Sequence, residues 1–218
     1  EASLVGTIIG MAAEYIGNNN ISLLMPKGQF GTRLRGGQDH ASERYIFTHL
    51  NPITRFIYPE ADNNVLNYRY DDGTKVEPDY YAPIIPMICV NGGKGIGTGF
   101  SSEVPCFNVP DIINYIKFAI DDEVKQEKPD INLHYQDFVG TIKKISDMKY
   151  ILKGKYEIIS SDEIHVTELP IGLWTDNFKE HLESLMDCKD QKTKKKVSGL
   201  VKSYKDMSTD TLVDFKIK

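Results

Sequence analysis

Four short β-like runs follow one another between residues 140 and 169: "GTIKKI", "KYILKG", "KYEIIS" and "EIHVTEL". Only turns separate them. Connections that short cannot carry the long crossover that parallel neighbours need, so the runs are expected to pair antiparallel. Helical patterns lie on either side. "VPDIINYIKFAIDD" starts a helix near Pro110, and "TDNFKEHLESLMD" makes another before a solvated basic loop, "QKTKKKVSG", and a last strand, "TLVDFKIK". Helices set apart from an antiparallel sheet make an α+β unit.

The first part of the chain has a different texture. Leu4, Ile8, Met11 and Tyr15 fall at helical spacing, and the helix over residues 1–17 ends at Gly17 and the run of three asparagines. "ISLLMPKGQFGTRLRGGQ" holds short β-like runs broken by glycines, either a loop or a small β-wing. Asp39 then stands where it can cap a helix from 39 to about 50, with Ile46, Phe47 and Leu50 as its core face and 55–58 continuing it after Pro52. "YDDGTKVEP" carries the Asp-Gly of a tight hairpin, and "APIIPMICVN" reads as a buried extended run. The natural division lies near residue 84, giving a helix-and-wing unit over 1–84 and the α+β unit over 85–218. Glu1 opens directly on a helical pattern and the chain stops inside a strand-like run, so it reads as a piece of a larger protein.

Charge and cysteine content narrow the function classes. The formal charge is −5, so the chain as a whole is not a basic nucleic-acid binder and any such role needs a local patch. Cys89, Cys106 and Cys188 are scattered and odd in number. They fit a reducing compartment and argue against a zinc site or a disulfide framework. No stretch approaches the length of apolar sequence that spans a bilayer, so no membrane partner is expected.

Three constellations carry possible chemistry. "GGKGIGTGF" follows an extended run but lacks the spacing of a phosphate loop, and Pro105 removes the helix start such a loop needs. It is either a bend where two backbones meet or a mount for Ile96, an apolar side chain able to wedge between base pairs. "MPKGQFGTRLRGGQ" leads into Arg44: Lys27, Arg33, Arg35 and Arg44 outnumber Asp39 and Glu43, and glycines 28, 31, 36 and 37 would allow close approach to a phosphate chain. Finally, Tyr45 sits beside Arg44 on what should be a helix's polar face. A phenol is weakly nucleophilic at neutral pH, and a guanidinium favours its ionised form and neutralises charge growing on a phosphorane. Surface Arg-Tyr pairs are also common without such a role. The histidines form no recoverable triad, and Asp71, Asp72, Glu77 and Asp79 read as a solvated turn rather than a metal site.

Taken together, "NNNISLLMPKGQFGTRLRGGQDHASERYIFTHL", "VEPDYYAPIIPMICVNGGKGIGTGFSSEVPCFN" and "ELPIGLWTDNFKEHL" resemble eukaryotic-type DNA topoisomerase II over nearly the whole chain. Bacterial gyrase is similar in plan, but "GQFGTR" with "RYI" looks like the eukaryotic and large-DNA-virus branch. The resemblance implies a winged-helix domain (helix-turn-helix with β-wing) carrying the nucleophile over 1–84, then a tower domain with an antiparallel sheet over 85–218. It implies that Tyr45 attacks a DNA phosphate to form a 5′-phosphotyrosine, that Arg44 assists, and that Ile96 intercalates and bends the DNA. Lys27, Gln29, Arg33, Arg35, Gln38 and Lys94 would contact DNA. Gln38 stands where a lysine is typical, Lys94 where an acid is common and Phe100 where tryptophan often sits. The resemblance further implies a homodimer acting on gate and transported duplexes, with magnesium and ATP held by domains outside this chain. It implies a nuclear location, or a cytoplasmic replication site for a viral enzyme. A reading from another class, a non-catalytic winged-helix DNA-binding scaffold in which Tyr45 is structural, would give no covalent adduct.

Overall fold

The computed structural model describes residues 2–121, 127–147, 149–186 and 199–218. Helix α1 (Ala2–Ala12) opens the chain and is shorter than its apolar pattern suggested. Its Ile9 and Ala12 meet Phe30 and Ile46 in a small core that Val5, Leu24 and Ala41 complete. Strand β1 (Leu24–Lys27) pairs antiparallel with β2 (Phe47–Leu50), from Leu24 opposite Leu50 to Lys27 opposite Phe47. A one-turn helix, α2 (Thr54–Ile57), follows Pro52, as expected for 55–58.

The helix expected from 39 to 50 does not form. A single 3₁₀ turn, Glu43–Tyr45, leads straight into β2. Asp39 caps nothing there, because its carboxylate is taken by the Thr32 amide and hydroxyl. The Ala41 amide donates to the Gln29 carbonyl, tying the segment back to the loop that follows β1. Of the supposed core face only Ile46 is buried, while Phe47 and Leu50 are exposed. A short apolar run fits either period, and pairing with β1 decided for the strand.

Strands β3 (Tyr68–Asp71) and β4 (Thr74–Pro78) form the hairpin expected at Asp-Gly, with Asp72 and Gly73 both at positive φ, as a type I′ turn requires. "APIIPMICVN" is not the buried strand expected. It ends in a short helix, α3 (Met87–Asn91), started by Pro86, and only Val90 is fully enclosed. Strands β5 (Gly93–Gly97) and β6 (Phe100–Val104) then fold the glycine run into a hairpin.

Helix α4 (Val109–Ile120) begins at Asn108, whose side chain accepts from the Asp111 amide, with Pro110 in the first turn. The four runs that constrained the fold are strands: β7 (Thr141–Ser146) with β8 (Lys149–Lys153), and β9 (Lys155–Ser160) with β10 (Glu163–Glu168). Helix α5 (Thr175–Met186) follows. Then β11 (Tyr204–Asp206) and β12 (Phe215–Ile217) complete a four-stranded antiparallel sheet in the order β11-β12-β10-β9. Phe178 and Leu182 of α5 pack on Val166, Leu169, Val213 and Phe215, the larger core. The expected basic loop falls at 191–198, outside the described residues. The architecture is α+β, built from small antiparallel sheets and short helices.

Bonds cross residue 84 in several places. Asn20 donates to the carbonyls of Val90 and His134 and accepts from the Gln136 amide. Arg33 reaches Glu168 in a buried ion pair 135 residues apart in sequence. Leaving either charge alone there would cost several kcal/mol, about 3–5.

Candidate functional site

Tyr45 ends the 3₁₀ turn just before β2, with its amide held by the Ser42 carbonyl at 2.9 Å. The strand-like alternation then settles which way it faces. Ile46 is buried against Gly28, so Tyr45 is turned outward and is 71% exposed. The Arg44 guanidinium carbon lies 5.8 Å from the centroid of the Tyr45 ring. The aromatic hydroxyl that stood beside an arginine on a polar face is thus a solvent-facing phenol with a cation alongside.

Behind this turn the glycine-rich loop is packed by protein. Gly31 lies so near the Gly37 backbone that a Cβ would come within 2.5 Å of its Cα, and a Cβ on Gly37 would meet the Tyr15 hydroxyl at 2.7 Å. Gly36 sits directly against the Trp174 indole. Gly28, Gly31, Gly36 and Gly37 all have positive φ. The close approach inferred for a phosphate chain is therefore, at these four positions, an approach of the loop to Ile46, to itself, to Trp174 and to Tyr15. Across the loop, the Thr32 hydroxyl and amide donate to Asp39. Burial by itself would raise the Asp39 pKa, but those two bonds, a third from its own backbone amide and the Arg35 charge outweigh it and hold the carboxyl below its ordinary range. Burial and then Asp39 push the Tyr15 phenol up, so it stays neutral.

The candidate DNA-contacting residues separate into two groups. Lys27, Gln29, Arg35 and Gln38 are all exposed; Lys27 lies opposite Phe47 and the Gln29 carbonyl holds the Ala41 amide, on either side of the Tyr45 turn, while Arg35 Nε is 2.9 Å from Asp176 in a solvent-facing pair. Arg33 is a correction. Its side chain is 5% exposed and spent on Glu168, whose carboxylate also accepts from the Leu169 amide, so it serves the fold and offers no face to DNA. Lys94 and Ile96 stand on the β5–β6 hairpin, where Lys94 lines a cleft that Trp174 shares. Lys94 is opposite Glu103, and Ile96, opposite Ser101, is 82% exposed.

Sequence reasoning missed what holds the site. Trp174 packs edge-on against Tyr15 at 5.7 Å between centroids. The Thr175 and Asp176 amides, at the start of α5, donate to the Arg33 and Leu34 carbonyls. The chain's single tryptophan, in "PIGLWTDNF", was the available signal. Among the described residues no three of His, Cys, Asp and Glu gather as a metal site, and no helix is long and apolar enough to cross a membrane. Cys89 and Cys106 are free thiols, and burial pushes Cys106 up to about 11.

Comparison with known proteins gives one consistent result. The family described as the A subunit of DNA gyrase/topoisomerase IV matches residues 1–218. DNA topoisomerase 2 of Caenorhabditis elegans and DNA topoisomerase 2-alpha of Gallus gallus are each 44% identical over 219 residues. The chain is covered fully in both and spans 14% of the length of each. The crystal structure of the Plasmodium falciparum topoisomerase II DNA-binding, cleavage and re-ligation domain superposes with a TM-score of 0.88 at 43% identity, covering 100% of this chain and 28% of that one. An outward tyrosine with an adjacent arginine and a glycine hairpin topped by an isoleucine thus occur on a fold shared along the entire chain, and the chain belongs to the DNA gyrase/topoisomerase IV family, in its eukaryotic-type DNA topoisomerase II branch.

Proposed function

We propose that this chain is the part of a type IIA topoisomerase that cuts and rejoins DNA, with Tyr45 as nucleophile. Residues 1–84 act as the winged-helix cleavage unit and 85–218 as the tower. The Tyr45 Oη bonds to a backbone phosphorus and gives up its proton. The bond from phosphorus to the 3′ oxygen breaks, and that oxygen leaves as a 3′-hydroxyl. The DNA remains joined through its 5′ phosphate to the phenol. One phosphodiester replaces another, so attack by the 3′-hydroxyl reverses the step without an energy source. The observation that carries this reading is the outward Tyr45 on a turn pinned from behind by Ile46, with the Arg44 guanidinium against its ring. Arg44 favours the phenolate and offsets charge on the phosphorane.

Lys27, Gln29, Arg35 and Gln38 would hold phosphates beside the turn, and Lys94 and Ile96 would meet the duplex at the second hairpin. A symmetric pair of chains would cut both strands of one duplex and let another pass. The acidic ligands for magnesium and the site for ATP would belong to other parts of the assembled enzyme. The proposed location is the nucleus, or a cytoplasmic replication site for a viral enzyme.

Tyr45→Phe in the full-length enzyme tests the proposal. The variant should form no covalent 5′-tyrosyl DNA complex and show no strand passage, while its affinity for duplex stays nearly unchanged, since phosphate contacts come from other groups. A covalent complex in the variant would mean that another residue attacks.

A further inference from the structure

The β5–β6 hairpin has two faces, and the wedge assigned to Ile96 uses only one of them. Gly93 opposes Val104, Gly95 opposes Ser102 and Gly97 opposes Phe100, while Lys94 opposes Glu103 and Ile96 opposes Ser101. Opposed residues point to the same side of a two-stranded ribbon, and successive residues point to opposite sides. Ile96 therefore shares one face with Ser101, and Phe100 stands on the other, one pair nearer the tip. The foot of the ribbon is fixed to the first part of the chain. The Asn91 side chain bonds both the amide and the carbonyl of Ile21, at 2.9 and 2.8 Å.

Phe100 is 86% exposed. A single exposed apolar side chain is ordinary on a protein surface. What sets Phe100 apart is the strip beside it, where β5 offers only Gly93, Gly95 and Gly97 on the same face. The fold asks for part of that strip. A Cβ on Gly93 would come within 2.5 Å of Ile88 Cδ1, and one on Gly95 within 3.2 Å of Ser102 Oγ. At Gly97 the nearest atom would be the Phe100 carbonyl oxygen at 3.7 Å, an ordinary contact, and Gly97 is not among the glycines at positive φ. Neither packing nor backbone within the described residues requires glycine there. Bare backbone of this kind lets another molecule lie against the strand.

A β-ribbon can read the minor groove, and an apolar wedge placed there unstacks a base step and bends the duplex. A ribbon that enters the groove by its tip has DNA on both faces. With Ile96 in a base step, the other face meets a wall built of deoxyribose. The C–H edges of a sugar pack on an aromatic ring by dispersion and apolar burial, and need no hydrogen bond from it.

We infer that Phe100, with the bare strip at Gly97, is the counter-contact to the Ile96 wedge, packing on deoxyribose across the ribbon and bracing Ile96 in the base step. The inference rests on the DNA-cleavage reading above, with Ile96 as the wedge. Its test uses the full-length enzyme in a Tyr45→Phe background, so that cleavage does not enter, and a short duplex carrying donor and acceptor dyes at its ends. Phe100→Ala should weaken binding about tenfold, the scale for uncovering part of a large apolar side chain. Energy transfer in the bound duplex should fall with it. Because the contact is apolar, the slope of log K against log salt should stay that of the parent. Phe100→Trp should keep both affinity and transfer. Gly97→Ala, which adds one methyl group to the strip without a clash inside the protein, should lose part of each. In an Ile96→Ala background Phe100→Ala should add little, since a brace without a wedge has nothing to hold.

Parent-like affinity and transfer in Phe100→Ala overturn the inference, as does a loss of the same size in the Ile96→Ala background. A loss carried by the salt slope would mean displaced phosphate contacts and overturns it as well. So does a lower melting temperature of the DNA-free enzyme on Phe100→Ala, because the ring then seats on protein. Ile96→Ala that bends DNA like the parent removes the wedge reading itself. Parent-like bending by Phe100→Ala beside reduced bending by Ile96→Ala removes the brace alone. Neither result bears on the adduct at Tyr45, which the cleavage assay scores separately.

Discussion

Tyr45 and Arg44 are neighbours in sequence, but their joint exposure depends on Ile46 being the residue that turns inward. The alternation of a strand separates adjacent side chains to opposite faces, and the preceding 3₁₀ turn lets Arg44 swing beside the ring. Arg44→Ala removes one charge partner of the transition state and should lower the cleavage rate by roughly two to three orders of magnitude. Duplex affinity should fall far less. Single-turnover cleavage set beside equilibrium binding checks this, and equal losses in both would make Arg44 an ordinary phosphate contact. At this scale the outward placement of the pair was legible in the sequence, and the burial of Arg33 was not. A cation in a glycine-rich loop looks the same in sequence whether it faces solvent or a carboxylate 135 residues away.

Elements were legible where local signals stood alone. The Asp-Gly hairpin, the helix start near Pro110 and the turn-separated strands of the second part all formed where their residues indicated. The segment from 39 to 50 was misread because Asp39 has two possible partners, its own helix and Thr32, and only the folded loop brings Thr32 near. The β5–β6 hairpin shows the opposite case. Its glycines looked like a bend or a wedge mount, and the hairpin does carry Ile96 on a strand that is otherwise glycine and one lysine. Unstacking a base step costs a few kcal/mol, recovered through contacts that bent DNA makes elsewhere. Ile96→Ala should therefore reduce bending, read as lower end-to-end energy transfer on a short duplex, and cleavage should fall with it. A mismatch at the wedge step should restore part of both. Bending equal to the parent's would reduce Ile96 to a bystander.

At the scale of the whole molecule, the loop behind Tyr45 is held by residues from the far end of the sequence: Glu168 on Arg33, Trp174 on Gly36, and the first amides of α5 on the Arg33 and Leu34 carbonyls. Long-range partners of this kind carry no local pattern, so nothing in the sequence distinguished them. Glu168→Gln leaves the Arg33 charge buried and unanswered, and should cost about 3–5 kcal/mol of stability in denaturant titrations. Replacing both residues by apolar ones of similar size should recover most of the loss, since the pair's worth lies largely in not being broken. A loss under about 1 kcal/mol in the single variant would place the pair among exposed ones of little weight.

Trp174 gives that junction an optical signature. It is the chain's single indole, and it is wedged between Tyr15 and a glycine whose missing side chain makes the room. Its emission therefore reports one place only, the seam between the glycine-rich loop behind Tyr45 and the start of α5. A shift to longer wavelength on adding duplex would register water entering that seam, so movement of the glycine-rich loop against its support can be followed without any attached dye.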